Sequence, residues 1–508
     1  MKPRHFHFLA FLEQLLSDGK TLFFAVLTVF AFLHLTWWQW VLAAGLWLGF
    51  EVLDFFKQRY WLTEHELVLT SGIIHKRWRH LPYDKIQNIH RSQWFFLKPF
   101  QLEKISVDSA GHGGERQNQI KLPVIPSWLT WVLEQKHQQA DLPLADLLAL
   151  VAKSKEEKQP DLDALARQER LQQNDQAVSD DNEEGPSGQR AFRSSTGSLF
   201  LYAITAPEVL LQFAFLFGLL SRVDRDGQLY GQIFSEMTAL GISIVIGLVL
   251  AFLILLFAFN IVKTIVLYYG FSVKKEGSYL QIKRGLFEVR SLSLAENRIQ
   301  SLQIEQNIWR NLFGLATVRL RIITDRNGDD EVAKRLPTLL PLVKMADAAR
   351  LASDFLPKLV APVNLKIEAK GLYQSLTMGR NALVLLWLLF GWTLYFFLNP
   401  LTIILSVLLS LFAFSLGFYK GRVTGTKRIL DDSVLVLQSA HFFAKKTVYV
   451  PWDRIQSMSI NQSLWLSLSK KRAHLAVLIR SDNGVSLVEC RYLPVEEAQS
   501  IYRMYKKK

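Results

Sequence analysis

The sequence predicts an α+β membrane protein in which three strand-rich domains, each closed by one C-terminal helix, alternate with three transmembrane helical hairpins, six spans in all. Three observations predict it: a five-residue motif that recurs three times, a pair of apolar runs before each recurrence, and strand-like alternation ending in a helix after each one. The motifs are Asp84-Lys85-Ile86-Gln87-Asn88, Asn297-Arg298-Ile299-Gln300-Ser301 and Asp453-Arg454-Ile455-Gln456-Ser457. A second glutamine lies six residues beyond the first, as Gln93, Gln306 and Gln462. A large aromatic lies nine beyond it, as Phe96, Trp309 and Trp465. Such agreement marks one structural unit used three times.

The apolar runs come first in each unit. A helix needs about 20 mostly apolar residues to cross a bilayer. Leu22 to Thr36 and Trp38 to Phe56 form the first pair, with tryptophans at the break as in an interfacial belt. Leu199 to Leu220 and Thr238 to Tyr269 form the second, and Asn381 to Leu398 with Leu401 to Phe418 the third. Basic residues follow the even-numbered runs, as Lys57 and Arg59, Lys274 and Lys275, and Lys420, Arg422, Lys427 and Arg428. Positive-inside logic then puts the N-terminus and all three strand-rich segments in the cytoplasm.

Behind each hairpin the pattern changes to period two. Val318, Leu320 and Ile322 alternate with arginines, Leu475, Val477 and Ile479 alternate likewise, and the first copy has Ile105 and Val107. Turns follow at Gly111-His112-Gly113-Gly114, Asn327-Gly328 and Asn483-Gly484. Leu122-Pro123, Leu336-Pro337 and Leu493-Pro494 then precede helical sequence. The predicted divisions are the N-terminal segment and first hairpin (1–57), the first domain (58–140), a charged linker (141–196), the second hairpin (197–269), the second domain (270–358), the third hairpin (359–418) and the third domain (419–508). Within the linker, Leu142 to Lys153 reads as one further helix, and the rest is polar and poor in apolar anchors.

The formal charge of +14 suits nucleic acid or an anionic membrane equally, and the apolar runs select the membrane. A single cysteine, Cys490, excludes an intramolecular disulfide or a multi-cysteine metal site and reads as a small packed side chain. No His-Glu-x-x-His site, phosphate-cradling Gly-x-x-x-x-Gly-Lys loop or Gly-x-Ser-x-Gly elbow occurs, so the expectation is no enzyme, no cofactor and no metal.

Taken together, the motifs, the second glutamine, the aromatic after it and the hairpin spacing resemble the bacterial pleckstrin-homology-like (PH-like) domain found beside membrane helices, in its three-repeat form. The resemblance implies three PH-like β-barrels capped by amphipathic helices and a multi-pass location in the bacterial inner membrane. It also implies a homo-oligomer, or a hetero-complex with a smaller one-repeat relative. The third copy departs from the pattern: Gly72 and Gly285 stand 14 before their motif isoleucines, where the third has His441.

Candidate site residues divide into three groups. Ile86, Gln87, Ile299, Gln300, Ile455 and Gln456 read as shaping the barrel, the glutamines bridging backbone where a strand gives way to a loop. Lys76, Arg77, Trp78 and Arg79, in the run His75 to His80, read as a contact for lipid headgroups or a partner, each base adding about 1 kcal/mol near an anionic surface. A solvated strand face explains the same run. Gln93, Gln306 and Gln462 are the candidate partner contacts on a binding rim. Glu208, in Thr205-Ala206-Pro207-Glu208, is either a polar group at membrane depth or part of a helix cap. The expected function is a non-enzymatic inner-membrane scaffold presenting its domains to lipid headgroups or proteins, with no nucleic acid. The alternative is a component of a transport, export or toxic-compound resistance complex.

Overall fold

The computed structural model describes residues 3–12, 37–72, 76–109, 119–138, 142–156, 190–205, 239–322, 337–361, 372–396, 400–429, 433–441, 444–462, 472–481 and 484–507. Each repeat contributes six strands as two three-strand meanders. In the first, β1 (Arg59–Leu62), β2 (Glu66–Ser71) and β3 (Arg77–Pro82) precede β4 (Ile86–Trp94), β5 (Leu102–Ser109) and β6 (Gln119–Pro126). The second has β7 (Ser272–Glu276), β8 (Tyr279–Arg284) and β9 (Glu288–Ala295), then β10 (Ile299–Gln306), β11 (Leu315–Ile322) and β12 (Thr338–Lys344). The third has β13 (Gly425–Ile429), β14 (Val434–His441) and β15 (Ala444–Pro451), then β16 (Ile455–Asn461), β17 (Arg472–Ser481) and β18 (Gly484–Pro494).

The helices are α1 (Trp37–Lys57), α2 (Ser127–Gln138), α3 (Leu144–Glu156), α4 (Thr196–Ile204), α5 (Ala239–Tyr268), α6 (Met345–Phe355), α7 (Leu372–Phe396), α8 (Pro400–Val423) and α9 (Val495–Lys507). A helix follows each second meander, as α2, α6 and α9. The alternating residues face the cores: Ile105, Val107, Val318, Leu320, Ile322, Leu475, Val477 and Ile479 have no exposed surface. Side chains at i and i+2 share one face of a strand, and each aliphatic so buried contributes about 1.5–3 kcal/mol. In the first repeat the core joins both meanders to α2 through Leu62, Leu81, Ile89, Leu122 and Leu133, and α3 adds Leu144, Leu147 and Val151. In the third repeat Leu437, Val450, Met458, Val477 and Ile501 do the same. Cys490 is buried there, its thiol directed at the carbonyls of Gly425 and Gln438 at 3.5 and 3.6 Å.

The sheets continue from one repeat into the next. Strand β4 pairs with β5 on one side and, on the other, with β9 of the second repeat, from Asn88 opposite Leu294 to Trp94 opposite Glu288. Strand β10 pairs in the same way with β11 and with β15 of the third repeat, from Leu302 opposite Tyr449 to Gln306 opposite Lys445. Two compact units follow the sheets rather than the repeats: residues 1–189 with 274–295 and 324–329, and residues 190–273 with 296–323 and 330–508. One of their divisions falls between Ala295 and Glu296, between the two meanders of repeat two.

Two corrections to the expected architecture follow. Three self-contained barrels give way to sheets shared by successive repeats. The six-span reading is overturned as well: among the described residues no helix is long and apolar enough to cross a membrane. The run Leu22 to Thr36 and most of Leu199 to Leu220 lie outside the described residues. The helices that stand where spans were expected carry polar residues: Glu51 and Asp54 in α1, Asn260 and Lys263 in α5, Arg380 and Asn381 in α7, and Lys420 and Arg422 in the last turn of α8. The helical pair α7 and α8 packs closely where glycines meet. A Cβ on Gly379 would stand 2.8 Å from the Phe414 ring, and one on Gly417 would stand 2.8 Å from the Met378 carbonyl carbon.

Candidate binding edges and loop tips

The motif residues form one local device in all three copies. A 3-10 turn, Tyr83–Lys85, Glu296–Arg298 or Trp452–Arg454, runs straight into a strand that starts at the motif isoleucine. The amides of Ile86 and Ile455 close the turn on the carbonyls of Tyr83 and Trp452. The register then slips by one residue at Gln87, Gln300 and Gln456, between Ile86 and Asn88, Ile299 and Ser301, and Ile455 and Ser457. That is a β-bulge, which bends a strand and sharpens its twist. Ile86, Ile299 and Ile455 are buried, while Gln300 is buried and donates to the Arg298 carbonyl at 3.2 Å. Tyr505 of α9 donates to the Gln456 carbonyl at 3.0 Å, tying the C-terminal helix to the bulge.

The second glutamines clasp the hairpin that follows. Gln93, Gln306 and Gln462 donate through their amides to the carbonyls of Leu102, Leu315 and Arg472 at 3.2, 3.0 and 3.0 Å. Each side chain therefore bridges the two arms of its own hairpin at the loop end.

Aromatic and aliphatic side chains crowd those loop ends. Phe95 and Phe100 are 60% and 62% exposed, with Trp94 and Phe96 beside them, and Leu97 is the one large residue of the loop turned inward. The Phe95 ring meets Phe287 of the β8–β9 turn at 6.1 Å, and the Phe95 amide donates to the Phe287 carbonyl at 2.7 Å. In the second repeat the equivalent loop exposes Trp309, Leu312 and Phe313. Trp465 lies outside the described residues. These tips are legible only in part: the aromatic nine beyond the motif glutamine marks the repeat, and its sequence context does not say that it is exposed. Its recurrence in a loop was the available signal.

The basic run forms the outer edge of the first meander. Arg77, Trp78, Arg79 and His80 of β3 are all exposed, as is Lys76 before them. His80 sits 2.9 Å from the Glu66 carboxylate, and Trp78 packs edge-on against Trp61 at 6.0 Å. His75 lies outside the described residues. The matching strands of the later repeats, β9 and β15, are covered by β4 and β10. Glu208 also lies outside the described residues, so the transport alternative acquires no support from this structure.

One polar cluster had no sequence signal. Arg310, 4% exposed, donates to the hydroxyls of Thr205 and Thr317 at 3.1 and 2.8 Å and to the Tyr202 carbonyl at 3.3 Å. Its guanidinium lies over the Tyr202 ring at 4.6 Å, and Asn307 caps the helical turn that carries it. Burial pushes the Tyr202 hydroxyl well above its ordinary pKa and lowers that of Arg310. The cluster ties Thr205, which closes α4, to the second meander of repeat two. Its chemistry is that of a structural clamp. Among the described residues no group of three or more histidine, cysteine or carboxylate side chains is placed to hold a metal.

A family model described as bacterial PH domain matches the chain three times, over residues 15–129, 228–357 and 382–508. The chain is also similar to the UPF0699 transmembrane protein YdbT of Bacillus subtilis (strain 168), at 22% identity over 477 residues covering 92% of this chain and 87% of that protein.

Proposed function

The chain belongs to the bacterial PH domain family, and on that premise we propose that it is a non-enzymatic scaffold that rests on the cytoplasmic face of a bacterial inner membrane and presents three PH-like domains to lipid headgroups and partner proteins. The exposed loop tips carry the reading. Phe95, Phe96, Phe100 and Phe287 make an apolar patch with Lys98 exposed in the same loop, and Trp309, Leu312 and Phe313 make a second. Exposed Phe, Trp and Leu side chains can insert into the headgroup boundary, and burying one is worth about 1.5–3 kcal/mol. Lys76, Arg77 and Arg79 add an electrostatic component of about 1 kcal/mol each near anionic lipid. A relative named as a transmembrane protein agrees with membrane association. Tethering several weak contacts to one chain raises their combined strength through avidity.

Flotation of the full-length chain with vesicles tests this. Binding to phosphatidylglycerol vesicles exceeds binding to phosphatidylcholine, and added salt removes that excess. Phe95→Ser with Phe96→Ser weakens binding to both lipids. Flotation indifferent to lipid charge, salt and these substitutions overturns the lipid reading.

A further inference from the structure

Both junctions between repeats follow one register rule. Asn88 stands two residues after its motif isoleucine, and its partner Leu294 stands five before the next. Leu302 stands three after, and its partner Tyr449 six before. Every pair in both ladders obeys the same relation: a residue n positions after one motif isoleucine faces the residue n+3 positions before the following one. Two unrelated strand contacts have no reason to share a register. A common register means the junction is a built property of the repeat.

Among the described residues, two strands lack the partner that this rule would give them. Among the described residues β3 pairs with β2 alone, and β16 pairs with β17 alone. Strand β3 is the first repeat's counterpart of β9 and β15, and β16 is the third repeat's counterpart of β4 and β10. An exposed edge strand presents a row of backbone donors and acceptors that templates another strand.

We propose that β16 of one copy of this chain adds to β3 of a second copy, antiparallel and in the register of the internal junctions, so that copies join head to tail. The rule sets Ser457 opposite Leu81, Ser459 opposite Arg79 and Asn461 opposite Arg77. The side chains agree with this assignment. Nine residues before each motif isoleucine stands a cation, Arg77, Arg290 or Lys446. Opposite it, at the two internal junctions, stand Ser92 and Glu305, and Lys446 reaches the Glu305 carboxylate at 3.4 Å. Asn461, whose amide oxygen is an acceptor intermediate in reach between Ser92 and Glu305, is what the new junction would offer Arg77. The joined surfaces differ, so the contact is heterologous and repeats until it closes into a ring or runs on as a filament. This inference stands apart from lipid binding.

Cysteine cross-linking between separately purified full-length chains decides the matter. Arg79, Arg77, Ser459 and Asn461 are exposed, so single replacements there leave the cores intact, and the native Cys490 is buried. Under mild oxidation a mixture of R79C and S459C chains gives a disulfide-linked dimer, as does R77C with N461C. The off-register mixture of R79C with N461C gives a loss of that product, and so does each variant alone. Absence of dimer in both matched mixtures, equal yield from the off-register pair, or dimer from R79C alone each overturns the proposal. So does a chain carrying both R79C and S459C that closes on itself while the mixtures stay monomeric.

Discussion

Arg310 holds three acceptors and an aromatic face at once, all of them in one compact unit. Removing the guanidinium leaves those oxygens buried without their donor, so Arg310→Ala should lower stability by about 1–3 kcal/mol in denaturant unfolding. Arg310→Lys should recover little of that, because a point charge cannot serve a fork of acceptors. Glu305 makes a pH-dependent contribution of definite sign. Burial pushes its carboxyl up, but Arg319 at 3.2 Å, Lys446 and the Gln303 amide together hold it below the ordinary glutamate range. Its stabilisation is therefore complete above the unfolded value of about 4.3 and disappears as the pH falls through the lower folded value. Thermal unfolding followed across that window should flatten in Glu305→Gln. Neither residue is visible from sequence: Ser92 and Asn461 occupy the places of Glu305 in the other copies. Repetition exposed the motif, but Leu97 and Leu466 occupy the places of Arg310 in the other copies, so no recurrence marked it.

Among the elements, the motif strand is the most legible. An Asp or Asn, a base, an isoleucine and a glutamine were enough to expect a shaped strand entry, and the structure puts a 3-10 turn and a bulge there. The positive-φ glycines Gly72 and Gly285 turn their hairpins at φ 99° and 113°, and a Cβ on Gly285 would strike the Glu288 carbonyl. Gly285→Ala should cost about 1–3 kcal/mol in the same unfolding assay. The third copy solves the turn differently, with His441 paired directly to Ala444 and no glycine required. What sequence could not supply is the neighbour of a strand's outer edge. Strand β9 reads the same whether β4 lies beside it or water does, since alternation fixes which face is buried and not which edge is paired. The helices show a similar limit. Long apolar runs announced helices at α5, α7 and α8, but the expected spanning role did not survive. Between α7 and α8 the contact is tight enough that Gly417→Leu should separate the helices, read as lost helical protection in hydrogen exchange across both.

At the level of the whole molecule, the stable pieces are not the pieces that the repeat pattern outlines. Repeat two is divided between two compact units, with β9 bound to the strand before it and β10 to the strand after it. Residues 270–358 made alone would expose both edges, and that fragment should aggregate, as gel filtration would show. The family match covers three similar stretches, but each stretch completes its sheets only with its neighbours. Because every junction joins a trailing strand to a leading one, the array has polarity, like beads with a hook at one side and an eye at the other. Gaining or losing one whole bead would leave the same hook and eye unjoined.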